Sequence, residues 1–306
     1  MILKAIKKVT LCVFMMSSGY MMAQQEPQFT QYMYNPISVN PAYAGARDAL
    51  SVFGHYRTQW VGVEGAPQTI NFSAHTPLYN SRIGLGVSFQ NDALGAMDEN
   101  TLAVDFSYTI DVSRDFRLAF GLKGSANLLN VDYNKLIIAD PTEVGDNIEN
   151  KFTPNVGAGL FLYSDKTYVG VSAPLLLSST RYDDNIKSTM SQKAHIYATA
   201  GHVFDISREV KFKPAVIAKI ISGAPLQLDA TANFLLYDKL TIGAAYRWDA
   251  AFSGLVGFQL TDQVFIGYSY DADTKPLANY SSGSHEFLVR FELFNRHNRV
   301  VSPRFF

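Results

Sequence analysis

Among 306 residues there is a single cysteine, Cys12, and it lies close to the start. Everything after it is therefore barred from disulfides and from thiolate metal sites. Charge is also sparse, at 17% of residues, and it is balanced: 26 Lys and Arg face 27 Asp and Glu, so there is no basic excess to hold a nucleic acid. Beyond residue 23 no apolar run approaches the roughly 18 residues that a membrane-spanning helix needs. Mean hydropathy is nevertheless close to zero, and aromatics make up 13%. Apolar side chains are thus dispersed through polar ones instead of being gathered into helical spans.

Residues 1–23 read as a secretory signal peptide. Lys4, Lys7 and Lys8 precede an apolar core from Val9 to Phe14, then come Ser17, Ser18 and Gly19, with Ala23 as the cleavage residue. Acylation of Cys12 is the competing reading, but Thr10-Leu11 match a lipoprotein signal poorly and the cut would fall inside the apolar core.

What is abundant is alternation. Leu226, Leu228, Ala230, Ala232, Phe234 and Leu236 interleave with Gln227, Asp229, Thr231 and Asn233, the two-residue period of a strand with one apolar face. After Tyr237-Asp238-Lys239 the pattern resumes through Leu240, Ile242, Ala244, Tyr246 and Trp248, and two further strands repeat it. The same reading predicts strands over 49–57, 68–76, 83–89, 101–112, 116–128, 154–163, 167–176, 194–204, 210–221, 226–236, 240–248, 252–260, 264–270 and 286–294. Segments of about ten residues, even in number and joined as hairpins, describe an all-β transmembrane antiparallel β-barrel of about fourteen strands in the outer membrane, occupying 48–294. A soluble β-sandwich is the rival, since periodicity does not identify the solvent. Joins after even strands are short, as in Tyr79-Asn80-Ser81 and Ser113-Arg114-Asp115, whereas long ones are expected after strands one, three, five, seven and thirteen. Short periplasmic turns and longer outer loops are the asymmetry such barrels show. Pro154, Pro174 and Pro214 are expected at strand ends, bulges or rims, because each lacks a ladder donor.

Residues 24–47 stand apart from the strands, as a segment that is periplasmic or docked in the lumen. Its aromatics are too apolar for a solvated linker, and two Asn-Pro steps bar a helix. It carries Gln28-Phe29-Thr30-Gln31-Tyr32-Met33-Tyr34-Asn35-Pro36, then Asn40-Pro41-Ala42-Tyr43-Ala44-Gly45. With Tyr56-Arg57-Thr58-Gln59-Trp60, Gly65-Ala66-Pro67 and the ending Ser302-Pro303-Arg304-Phe305-Phe306, these strings resemble the PorP/SprF family of outer-membrane proteins of the Bacteroidetes type IX secretion system. The resemblance spans essentially the whole chain. It implies a non-catalytic component or accessory of that system. Its partners would be outer-membrane lipid, periplasmic secretion components (a ring-forming lipoprotein and a peptidoglycan-associated protein) and, in some members, a secreted gliding adhesin. Gln28, Phe29, Gln31, Tyr32, Asn35, Pro36, Asn40, Pro41, Ala42, Tyr43 and Gly45 are the candidate plug or partner-contact residues.

Catalytic and metal chemistry finds little support. His55, His75, His195, His202, His285 and His297 show no ligand spacing. No Gly-x-Ser-x-Gly elbow presents a nucleophile. Asp140, Glu143, Asp146 and Glu149 lack the spacing of a calcium loop. No cofactor, metal or enzymatic activity is therefore expected. Lumen charges of both signs are expected from Arg57, Arg117, Lys123, Lys219, Arg247 and Arg290 with Asp105, Asp229, Asp249, Glu286 and Glu292. They admit a water-lined path or pairing that closes it, and a barrel this wide leaves room for a plug. A passive porin or uptake channel is the alternative function. The tail 295–306, with Arg296, Arg299 and Arg304 before two phenylalanines, is expected on the periplasmic side.

Overall fold

The computed structural model describes residues 29–78, 82–135, 147–177, 179–180, 191–192, 194–222, 224–274 and 280–293. The expected signal peptide 1–23, the join 79–81, most of the acidic stretch 140–149 and residues 295–306 lie outside the described residues.

Fourteen strands form one closed antiparallel sheet. They are β1 Leu50–Thr58, β2 Gln68–Pro77, β3 Ile83–Leu94, β4 Met97–Asp111, β5 Arg117–Val131, β6 Ile148–Tyr163, β7 Thr167–Leu175 and β8 His195–His202. They continue as β9 Val210–Ile221, β10 Gln227–Leu236, β11 Leu240–Arg247, β12 Ala251–Gln259, β13 Val264–Asp273 and β14 Ser284–Leu293. Each pairs with its neighbours in sequence, and β1 pairs with β14 from Leu50↔Leu293 to Thr58↔His285, so no edge is left open.

Alternation sorts the two faces. In β4, Leu102, Val104, Phe106 and Tyr108 point outward and exposed, while Ala103, Asp105 and Ser107 point inward and buried. An apolar exterior around a polar interior reverses the arrangement of a soluble sandwich and fits strands wetted by lipid. Aromatic rings mark both ends of the apolar band. Tyr246 and Phe252 pack at 4.6 Å beside exposed Trp248 at one end, and Phe212 and Phe234 at 4.7 Å beside Phe204 at the other.

One end carries the short turns. There Tyr237 and Asp238 both adopt positive φ, 54° and 52°, the twist that a tight hairpin demands. The opposite, loop end corrects one expectation. The join after β3 is not long: Leu94 pairs with Met97 across Gly95-Ala96, with Gly95 at φ 56°. Residues 90–100, expected to join two strands, continue the ladder as a hairpin, with cross-strand amide and carboxylate bonds such as Asn91 to Asp98. Likewise β5 and β6 extend by several residues past the expected strands.

The prolines sit where a donor is not needed. Pro174 is the penultimate residue of β7. Pro214 lies opposite the break at Val203, between Gly201↔Ala215 and Phe204↔Phe212. Pro154 shares its direction with Val156, whose carbonyl accepts from Leu176, so its missing N–H faces the side on which β7 has already ended. Asp249 is a second correction: it is exposed in the β11–β12 turn at φ 52° instead of facing the lumen. Arg117 sits at the rim of the turn end, paired with Asp48 at 3.4 Å.

Candidate functional site

The lumen is occupied by the chain's own residues 29–47. Three single-turn 3-10 helices, Tyr32–Tyr34, Pro36–Ser38 and Pro41–Tyr43, carry this segment from the loop end down to the turn end, where β1 begins. Proline at the first position of the second and third turns presets φ and costs no donor, and it prevents fusion into one helix.

The two Asn-Pro steps share one job. Asn35 donates to Asn71 Oδ1 at 3.1 Å and accepts from Ser73 Oγ at 3.0 Å, which ties the segment to β2. Asn40 caps its own turn by accepting from the Ala42 N–H at 3.0 Å, and its Nδ2 donates to the Leu160 carbonyl in β6 at 3.0 Å. Wall side chains then meet the segment's backbone carbonyls: Ser107 donates to Ala44 at 2.6 Å, Ser172 to Val39 at 2.7 Å and Lys123 to Ile37 at 3.3 Å.

Close approach on this side depends on glycine. A Cβ at Gly84 would collide with the Ala44 carbonyl, one at Gly121 with Pro41 and Ala42, and one at Gly159 with the Asn40 side chain. The segment's own Gly45, at φ 74°, would place a Cβ 2.9 Å from Gly84 Cα. Tyr43 fills the space beside this seat, its ring 5.4 Å from both His75 and Phe161. Tyr32, Met33 and Tyr34 pack instead towards β1 and the later strands, with Phe53, Phe265 and Leu288.

Charges secure both ends. Near the loop end Glu286 accepts the Thr30 N–H at 2.7 Å and the Gln31 N–H at 3.1 Å, while Thr30 Oγ1 donates to Asp271 at 2.7 Å. Arg57 pairs with Asp271 at 2.7 Å and also with Glu286. Arg247 bonds Asp229 at 3.0 Å and reaches Thr30 at 3.3 Å. At the turn end Arg47 pairs with Glu292, and Arg290 lies 3.7 Å from the same carboxylate. These pairs are buried, so each partner must be matched for the other to be tolerated there.

Of the motif residues, Gln28 lies outside the described residues. Phe29 stands edge-on to His55 at 4.9 Å, Pro36 is half-buried, and Gln31, Tyr32, Asn35, Asn40, Pro41, Ala42, Tyr43 and Gly45 are buried. Sequence reasoning missed the glycine seat and Asp271. Glycines two apart, as in Gly84-Gly86 and Gly157-Gly159, were the available signal. Among the described residues no group of three or more His, Cys, Asp or Glu is placed to hold a metal ion.

Several solved structures align with the chain. The CymD monoaromatic hydrocarbon channel aligns with a TM-score of 0.50 at 14% identity, over 88% of this chain and 94% of that one. The P. putida toluene transporter TodX aligns at 0.49 and 9%, over 89% and 95%. The Acinetobacter baumannii outer membrane protein Omp33 aligns at 0.48 and 9%, over 81% and 100%. The CymD likeness supports a common fold and nothing about substrates. No curated protein matches the sequence. A family model described as type IX secretion system membrane protein PorP/SprF matches residues 21–291, and with nearly the whole chain so covered, the protein belongs to the PorP/SprF family of membrane β-barrels.

Proposed function

We propose that the protein is a non-catalytic outer-membrane component or accessory of type IX secretion, anchoring secretion and gliding partners at the membrane and supporting export or surface attachment of secreted proteins. The observation that carries this reading is a filled lumen in a barrel of this family: residues 29–47 occupy the space that a diffusion channel would leave to water. A barrel closed in this way offers its two ends as surfaces. Short turns face one side, and the extended β3–β4 and β5–β6 hairpins face the other. On this reading the turn end meets the periplasmic partners, a ring-forming lipoprotein and a peptidoglycan-associated protein, and the loop end meets a secreted adhesin.

The second reading, a passive porin or uptake channel, draws support from the polar interior of the wall. Deleting the gene separates the two. Loss of secreted adhesins and of their attachment to the cell surface is the expected outcome. Normal secretion and gliding, combined with steady open-pore conductance of the purified wild-type barrel, would defeat the anchoring role.

A further inference from the structure

The wall behind residues 29–47 is ill-suited to a permanent core. Asn71, Ser107 and Ser269 bond the segment directly, and Thr69, Asn233 and Ser253 are buried elsewhere on the inner face of the wall, side chains that suit an aqueous surface. Asn233 is fully buried, and neither its Nδ2 nor its Oδ1 has a hydrogen-bond partner among the described residues. Its cross-strand neighbours are Lys213 and Gly243. Water would satisfy that amide, whereas a lumen that was always dry would be better served by an aliphatic residue there.

We propose that residues 29–47 form a withdrawable plug, and that the barrel has a second state in which hydrated ions and small polar solutes cross the lumen. The attachment suits removal. No ladder pairing joins the segment to any strand among the described residues. Departure of the segment strands no wall carboxylate: Asp271 and Glu286 keep Arg57, Asp229 keeps Arg247, and Glu292 keeps Arg290 within 3.7 Å. The vacated wall then presents cations and carboxylates side by side around a path lined with hydroxyls and amides, a surface that water wets readily. Which partners bind the barrel is a separate matter, and a secretion defect or its absence leaves this inference untouched.

The test uses the full chain in lipid with two independent readouts. Asn233→Cys, in a Cys12→Ser background, places a thiol on the buried wall opposite Lys213, whose ammonium lies 5.6 Å from the centre of the Tyr34 ring, and leaves the plug unaltered. Modification of this thiol by a hydrophilic maleimide, in membranes carrying that variant with residues 29–47 unchanged, is the expected result. Gly121→Leu drives a side chain into Pro41 and Ala42, and it should raise both the rate of that labelling and the mean planar-bilayer conductance at least tenfold. A thiol that stays unmodified in correctly folded barrels would overturn the proposal, as would a folded Gly121→Leu barrel as silent as the wild type. Should Gly121→Leu fail to fold, labelling of Asn233→Cys with the native plug in place decides alone.

Discussion

Two residues of the lumen segment show how a single side chain can hold a long stretch of backbone in place. Asn40 is almost wholly buried and satisfies both its own helical turn and a strand carbonyl, so Asn40→Ala leaves the Ala42 N–H and the Leu160 carbonyl short of partners. A loss of about 1–3 kcal/mol is expected, read as a lower urea midpoint for the folded gel band in lipid vesicles. Arg47 poses an electrostatic version of the same problem. Arg47→Glu would bury a second carboxylate beside Glu292, a cost of roughly 3–5 kcal/mol. Combining it with Glu292→Arg should restore most of that stability. Failure of the reversed pair to rescue, with both single variants impaired, would show that packing and not charge matching governs this end.

At the level of strands, lipid imposes the pattern and depth sets its strength. Val104 faces outward from the middle of β4, and Val104→Arg is expected to cost about 2–4 kcal/mol. Val112, just past the end of the same strand, should tolerate Arg for about 0–1 kcal/mol. Equal penalties at the two sites, measured by urea unfolding in vesicles, would contradict the assigned membrane face. The segment 29–47 makes a different prediction. Buried and bonded at both ends, it should resist protease in the folded barrel and be cut within minutes once heat unfolds it. Period-two alternation identified all fourteen barrel strands, because each strand meets lipid independently and carries its own record of that contact. It ran short at β3–β4 because ladder bonds between polar residues have no compositional mark.

As a whole, the molecule buries charge inside and exposes hydrocarbon outside, so it should sediment with membranes and need detergent for release. Recovery of folded chain from the aqueous fraction would refute a membrane barrel. The closed sheet also predicts heat-modifiable gel mobility, with the compact form lost on boiling. Membrane class, strand number and an unusual N-terminal segment were all legible in the residues, since repetition and composition are local properties. A segment docked in the lumen was one of two readings the residues allowed, but which wall residues would hold it was not legible. Thr30 meets Asp271 across 241 positions, and Arg47 meets Glu292 across 245. Such contacts exist only once closure of β1 on β14 brings the two ends of the chain together. Two-residue periodicity says that a side chain points inward, but barrel closure alone sets what stands opposite it, and so makes a row of serines, asparagines and glycines the seat of a plug.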